Sequence, residues 1–164
     1  MKSAAILLLA AASLCAQNKP NWDGWQFLIG EWAGEGGGDP GQGTGGFKFE
    51  LQLDQHVLVR RNHAEYPAAK DRPPYSHEDL MVIHPEGSGW SAVYFDNEGH
   101  VIHYSVEFRT EGDGVVFTST GQASTPRYLL TYTKMGVNKV GIEFAIATPG
   151  KPFTPYIHAA AHRK

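Results

Sequence analysis

Cysteine is nearly absent from this chain of 164 residues: there is one, Cys15, and it falls in an apolar N-terminal stretch. A disulfide framework within the chain is therefore excluded, and so are cysteine-built metal sites and, once that stretch is removed, thiolate catalysis. Charge is scarce as well. The net charge of −3 comes with no basic run that would give a footprint for nucleic acid or an anionic membrane, and both are disfavoured as partners. No apolar run is long enough to span a bilayer as a helix, so the mature chain is expected to carry no integral membrane segment. After Gly30, no segment shows a helical period as strong as the alternations described below.

What is present starts with a leader-like layout. Lys2 precedes an apolar run from Ala4 to Ala12 and a small-residue region ending at Ala16, as in a secretory signal. The expectation is export to the periplasm or the exterior, with 1–16 removed and one domain over 17–164. Lipidation of Cys15 would need a small residue before it, where the chain has Leu14. Next comes Trp22-Asp23-Gly24-Trp25-Gln26-Phe27-Leu28-Ile29, a short aromatic turn suited to plugging one end of a barrel, followed by Gly30-Glu31-Trp32 at the start of a strand.

From Phe47 onward the period is two. Phe47, Phe49, Leu51 and Leu53 alternate with Lys48, Glu50 and Gln52, giving one buried and one wet face. Strands are expected at 31–36, 46–54, 56–66, 76–84, 90–96, 100–108, 114–120, 126–133, 139–147 and 155–163. Turn chemistry separates them, at Pro73-Pro74, Pro85-Glu86-Gly87, Asn97-Glu98-Gly99, Gly112-Asp113-Gly114 and Pro149-Gly150. The fold class is all-β: an up-and-down antiparallel barrel of about ten strands with a short N-terminal plug, a sandwich being the alternative. The run from Gly36 to Gly46 reads as a lip. A phosphate cradle would need a following helix with Lys and Ser/Thr, which is lacking.

Facing follows from turn geometry. In Asp96-Asn97-Glu98-Gly99-His100 the glycine takes the left-handed place of a three-residue loop, which pairs Asp96 with His100, Tyr94 with Ile102 and Ala92 with Tyr104. Apolar Ile102, Tyr104, Val106 and Phe108 put the even face of that strand inside. Working back, Asp79 is expected opposite Tyr94, His77 opposite Asp96, His63 opposite Asp79 and Arg61 opposite Met81. The candidate inner wall is then Arg61, His63, His77, Asp79, Tyr94, Asp96, His100 and Tyr104, with Trp32, Tyr128 and Tyr132 completing the ligand-binding set.

His77, Asp96 and His100 would stand side by side at one barrel end, the raw material of a divalent-metal site or of an Asp-oriented general base. The alternative is that Asp96 closes its turn through backbone amides and the imidazoles are hydrogen-bonded wall residues. His100 and His103 face opposite sides of a strand and cannot share an ion, and His158 and His162 are about 13 Å apart along theirs. An inward arginine would offer a fork to a carboxylate, or form an ion pair with Asp79 or Glu65.

The opening Gly30-Glu31-Trp32 with Gly34-Glu35-Gly36 resembles that of the lipocalin-like (calycin) barrels. Trp90–Tyr104 and Ser76-His77-Glu78-Asp79 resemble uncharacterised secreted bacterial families, and the strand count and tail resemble, more distantly, the nitrobindin-like haem barrels. The last resemblance implies a haem ligand on the final strand. That position holds Tyr156 here, with His158 expected on the same face; neither matches the family's histidine pattern fully. The function expected from residues and resemblance together is binding of a small, partly apolar ligand, a carboxylate included, inside an exported barrel. No cofactor is required and no residue is singled out as catalytic. The competing readings are a haem or nitric-oxide barrel, and an enzyme: an isomerase or cyclase, or a metal-assisted hydrolase.

Overall fold

The computed structural model describes residues 18–36, 43–70 and 72–164. The expected leader with Cys15, and most of the glycine-rich lip, lie outside the described residues. The chain enters through a single 3₁₀ turn, Asp23–Trp25, and then runs as β1 Gly30–Glu35, β2 Thr44–Gln52, β3 Val57–Tyr66, β4 Tyr75–Glu86, β5 Gly89–Asp96, β6 Val101–Phe108, β7 Gly114–Ser119, β8 Arg127–Lys134, β9 Lys139–Ala147 and β10 Thr154–Arg163. Each strand pairs antiparallel with the next, and β1 pairs with β10 to close the barrel. This is the all-β, up-and-down antiparallel barrel that the alternation predicts.

The alternation that defines the strands also sorts their side chains. On β6, Tyr104 and Val106 are buried while Val101, His103, Ser105 and Glu107 are exposed, so its even face turns inward. The turn before it is as expected: Gly99 has φ +91°, and Tyr94 pairs with Ile102 and Ala92 with Tyr104. The turn between β4 and β5 is tighter than expected. Gly87 and Ser88 alone connect Glu86 to Gly89, so Met81 pairs with Tyr94 and Asp79 with Asp96. That shift of two residues preserves facing.

Between β3 and β4 the shift is one, and it reverses the face of β3. Asn62 pairs with Asp79 and Arg61 with Leu80, so Arg60 and Asn62 point inward while Arg61 and His63 point out. The sequence carried a signal for this: Arg61, His63 and Glu65 place three ionisable groups on one face, opposite Leu58, Ala64 and Tyr66.

The barrel has two halves. At one end Trp22, Trp25 and Leu28 enter as a plug. Trp25 meets Phe108 edge-on at 5.1 Å, and Trp22 lies 4.6 Å from Trp90. Trp32, Phe49, Phe117 and Tyr132 form the next layer, all at most 1% exposed. Each such side chain contributes about 1.5–3 kcal/mol on burial, so this half carries much of the stability. Gly30, at φ +126°, meets a specific need: a Cβ there would stand 2.6 Å from Arg163 Nη1. The β2–β3 turn is strained, with Leu53, Asp54 and Gln55 at φ 49°, 52° and 66°. The plug pins it, through Trp22 Nε1 donating to Gln55 O at 2.8 Å and Lys19 pairing with Asp54 at 2.8 Å.

Candidate functional site

Above the aromatic layer the barrel is hollow. A cavity of about 510 Å³ opens at the end formed by the C-terminus of β1, the start of β2 and the 97–100 turn. Its walls differ in chemistry. Strands β3 to β5 contribute Arg60, Asn62, His77, Asp79, Tyr94 and Asp96, whereas β6 to β10 contribute Ile102, Tyr128, Leu130, Ile142, Phe144 and Ile157. Antiparallel alternation explains the contrast: on each strand one residue in two faces in, and β3, β4 and β5 place the charged and amide side chains at those positions, whereas the polar groups that β6 and β8 add are the hydroxyls of Tyr104 and Tyr128.

The floor is a buried ion pair. Arg60 Nη1 donates to Asp79 Oδ1 at 2.7 Å, with both residues less than a tenth exposed. The Arg60 guanidinium also lies 5.7 Å from the Phe47 ring centre and 5.9 Å from that of Tyr132, resting on the packed half below. Burial alone would lower the Arg60 pKa, but the attraction of Asp79 overrides it and holds the charge firmly in place.

From this pair a network climbs the wall to the mouth. Asp79 Oδ2 accepts from Asn62 Nδ2 at 3.0 Å and lies 3.4 Å from His77 Nε2. His77 Nε2 is 3.2 Å from the Tyr94 hydroxyl, and its Nδ1 is 3.1 Å from Glu98 Oε1. Tyr94 donates to Asp96 Oδ2 at 3.2 Å, and that oxygen lies 2.8 Å from His100 Nδ1. With acceptors at both ring nitrogens, His77 suits the imidazolium. The Asp79 hydrogen bond chiefly raises its pKa, Glu98 adds to this, and partial burial opposes it.

Asp96 closes its turn as well: Oδ1 accepts from the amides of Glu98 at 3.0 Å and His100 at 2.9 Å. Burial would raise its pKa, but the His100 amide and imidazole together hold it below the ordinary value. Tyr94 and Tyr104 are pushed well above the usual phenol range, chiefly by burial, and Tyr132 is pushed up to about 12 by the same cause.

Of the residues singled out from sequence, His77, Asp79, Tyr94, Asp96, His100, Tyr104 and Tyr128 line the cavity together. The others are placed elsewhere. Trp32 and Tyr132 sit in the packed half, Trp32 donating through Nε1 to Leu28 O at 2.8 Å. Arg61 is exposed on the outer face. His63 is among the residues at the cavity's rim, but its imidazole turns outward, 2.9 Å from Glu65 and 3.4 Å from Glu78. The residues sequence reasoning missed are Arg60 and Asn62, for the register reason given above, and the apolar wall of β9, Ile142 and Phe144.

The proposed metal triad does not assemble. Among the described residues no group of three or more His, Cys, Asp or Glu is set to hold a metal ion. His77 turns to Tyr94 and Glu98, while His100 turns to Asp96. On β10 a bulge between Pro155 and Ile157 makes Tyr156 an extra residue and breaks the alternation that would have joined it to His158. Tyr156 reaches the cavity mouth, 6.5 Å from the Phe144 ring, whereas His158 is 83% exposed beside Glu143 on the outside. A histidine-held haem therefore does not fit the inner face of β10.

No known family model matches the chain, and no curated protein matches it either. The closed ten-stranded antiparallel barrel is consistent with a lipocalin-like (calycin) fold. That architecture is compatible with holding a small molecule in its interior.

Proposed function

We propose that this protein binds a small amphipathic molecule inside the open half of its barrel. The observation that carries the reading is the 510 Å³ cavity with one hydrogen-bonding and one apolar wall, set on a charged floor. A volume of that order takes a ligand of drug-like size, and burial of its apolar body against Ile142, Phe144 and Leu130 supplies the affinity. The polar wall sets orientation. Binding requires no covalent step: among the described residues the imidazoles of His77 and His100 contact tyrosine or carboxylate oxygens, and no serine or threonine hydroxyl stands against either.

The test is a titration with N-phenyl-1-naphthylamine, a neutral fluorophore that brightens in apolar surroundings, alongside native mass spectrometry of the purified protein. A saturable one-to-one rise in emission, and adduct masses lost on gentle denaturation, are the expected results. A linear, unsaturable response with a bare mass spectrum overturns the reading.

A further inference from the structure

The charges that face the open half of the barrel do not balance. Asp79, Asp96 and Glu98 are gathered around one imidazole: His77 Nε2 is 3.4 Å from Asp79 Oδ2, its Nδ1 is 3.1 Å from Glu98 Oε1, and the Tyr94 hydroxyl lies 3.2 Å from both His77 Nε2 and Asp96 Oδ2. Asp79 and Asp96 are also direct partners across β4 and β5 on the inward face. Like charges placed directly opposite one another destabilise a strand pair unless a cation offsets them. The permanent cation of this wall, Arg60, is committed to Asp79 at 2.7 Å and to the aromatic layer below. Among the described residues that line the cavity there is no lysine. Glu35 stands at the rim but pairs with Lys139 at 2.7 Å. Asp96 and Glu98 are therefore faced by imidazoles alone, His100 Nδ1 at 2.8 Å and His77 Nδ1 at 3.1 Å, so compensation of this wall depends on imidazole protons.

Oxygen atoms on this wall remain open to a donor. Among the described residues Asp79 Oδ1 accepts only from Arg60, and Glu98 engages His77 through Oε1 alone. A separate observation also points to a ligand: the hydroxyl of Tyr104, a residue 2% exposed that lines the cavity, has no hydrogen-bond partner among the described residues. A buried hydroxyl without a partner is costly. Across the barrel, β9 lies five strands from β4 in the ring of ten. There Phe144 is 5.9 Å from Tyr128 with the rings within 8° of parallel, and 6.5 Å from Tyr156, and all three rings line the cavity.

We propose that the ligand is an amphipathic organic cation, with its ammonium on the wall of Asp79, Asp96 and Glu98 and its apolar body against Tyr128, Leu130 and Phe144. This rests on the cavity being a ligand site, and it reverses the carboxylate expected from an inward Arg61. An anion would meet a wall with an acidic excess, whereas an ammonium supplies positive charge that otherwise comes from the His77 proton. His77 faces Asp79 on its own strand, Tyr94 on β5 and Glu98 in the 97–100 turn, with uncharged Ala64 opposite it on β3. The ligand cation and the His77 proton therefore oppose one another, and affinity for a permanent cation rises as that proton is lost.

The experiment is displacement of N-phenyl-1-naphthylamine, at about pH 6 and at about pH 9, by three molecules with one body. They are trimethyl(2-naphthylmethyl)ammonium, its neutral isostere 2-neopentylnaphthalene, and 2-naphthylacetate. At the higher pH the ammonium is expected to bind about 10-fold tighter than the acetate. From the lower to the higher pH its affinity relative to the isostere should rise about 5-fold, while that of the acetate falls. Glu98→Gln, in an exposed turn, should lower the ammonium-to-isostere ratio at the higher pH about 3-fold, and His77→Gln should remove most of its pH dependence. The outward-facing control Arg61→Gln should leave all three affinities unaltered. An acetate that binds as tightly as the ammonium would overturn the cation assignment while leaving the cavity as a binding site. So would an ammonium-to-isostere ratio that is flat with pH, that Glu98→Gln leaves unaltered, or that keeps its full pH dependence in His77→Gln. Failure of the fluorophore itself to bind would overturn both.

Discussion

The guanidinium of Arg163, the penultimate residue, lies 4.4 Å from the ring centre of Trp32 while its Nη1 and Nη2 donate to the carbonyls of Ile29 and Phe27 at 2.6 and 3.1 Å. One side chain thus joins the last strand to the first strand and to the segment that leads out of the plug. Trp32 and Arg163 are also direct partners across the β1–β10 seam. Gly30-Glu31-Trp32 reads as an opening motif in the sequence, and Arg163 is its closing partner in the structure.

Arg163→Ala should therefore destabilise the barrel by about 2–4 kcal/mol, since two charge-assisted hydrogen bonds and a cation–π contact are lost together. Arg163→Lys should recover less than half, because a single ammonium cannot reach both carbonyls and cover the indole. Urea unfolding followed by tryptophan fluorescence measures both. A loss below ~0.5 kcal/mol in Arg163→Ala would contradict the seam-locking role.

The Arg60–Asp79 pair is buried at 2.7 Å with further donors on the carboxylate, so its halves depend on one another. Arg60→Met alone should cost about 3–5 kcal/mol by leaving a buried uncompensated acid, and Asp79→Asn alone a comparable amount. The double substitution should cost clearly less than the sum. Denaturant titrations of the four proteins give the coupling directly, and additive losses would show that the charges are solvated rather than paired.

How far the site could be read from sequence depended on the length of each connection. Five-residue Asp96–His100 contains its own register in Gly99, and Tyr94, Asp96, His100 and Tyr104 accordingly fell on the inner face. The two-residue Gly87-Ser88 turn was read too long, but by an even number, so His77 and Asp79 kept their facing. The β3–β4 connection, residues 67–74, has no sequence pattern that dictates pairing, and an odd error there exchanged Arg60 for Arg61. Val57, Leu58 and Val59 gave no correction, being apolar on both faces. The hollow itself could not be read: whether inward Tyr132 packs or lines depends on Phe47, Phe49 and Phe117 from other strands converging on it.

His77 gives the barrel a pH dependence. Its imidazole faces Asp79 on its own strand, Tyr94 on β5 and Glu98 in the following turn, and its folded-state pKa is raised above 6.5, first by the Asp79 hydrogen bond. A raised folded-state value stabilises the protein fully below the unfolded pKa, and that contribution disappears as pH climbs through the folded one. Stability of the wild type should fall as pH rises from the ordinary histidine value of 6.5 upward, and His77→Gln should flatten that limb. Equal slopes in the two proteins would remove His77 as the cause.

The hollow half is tested most directly by filling it. Ala159 lies on the inner face of β10, paired with Ile142 and lining the cavity. In an empty barrel Ala159→Trp has room for the indole, so stability should stay within ~1 kcal/mol of wild type while saturable binding of N-phenyl-1-naphthylamine is lost. In a packed barrel the same change forces strain of about 1–3 kcal/mol or more. A strongly destabilised Ala159→Trp, or one that still binds the fluorophore as wild type does, would contradict the cavity at the centre of this account.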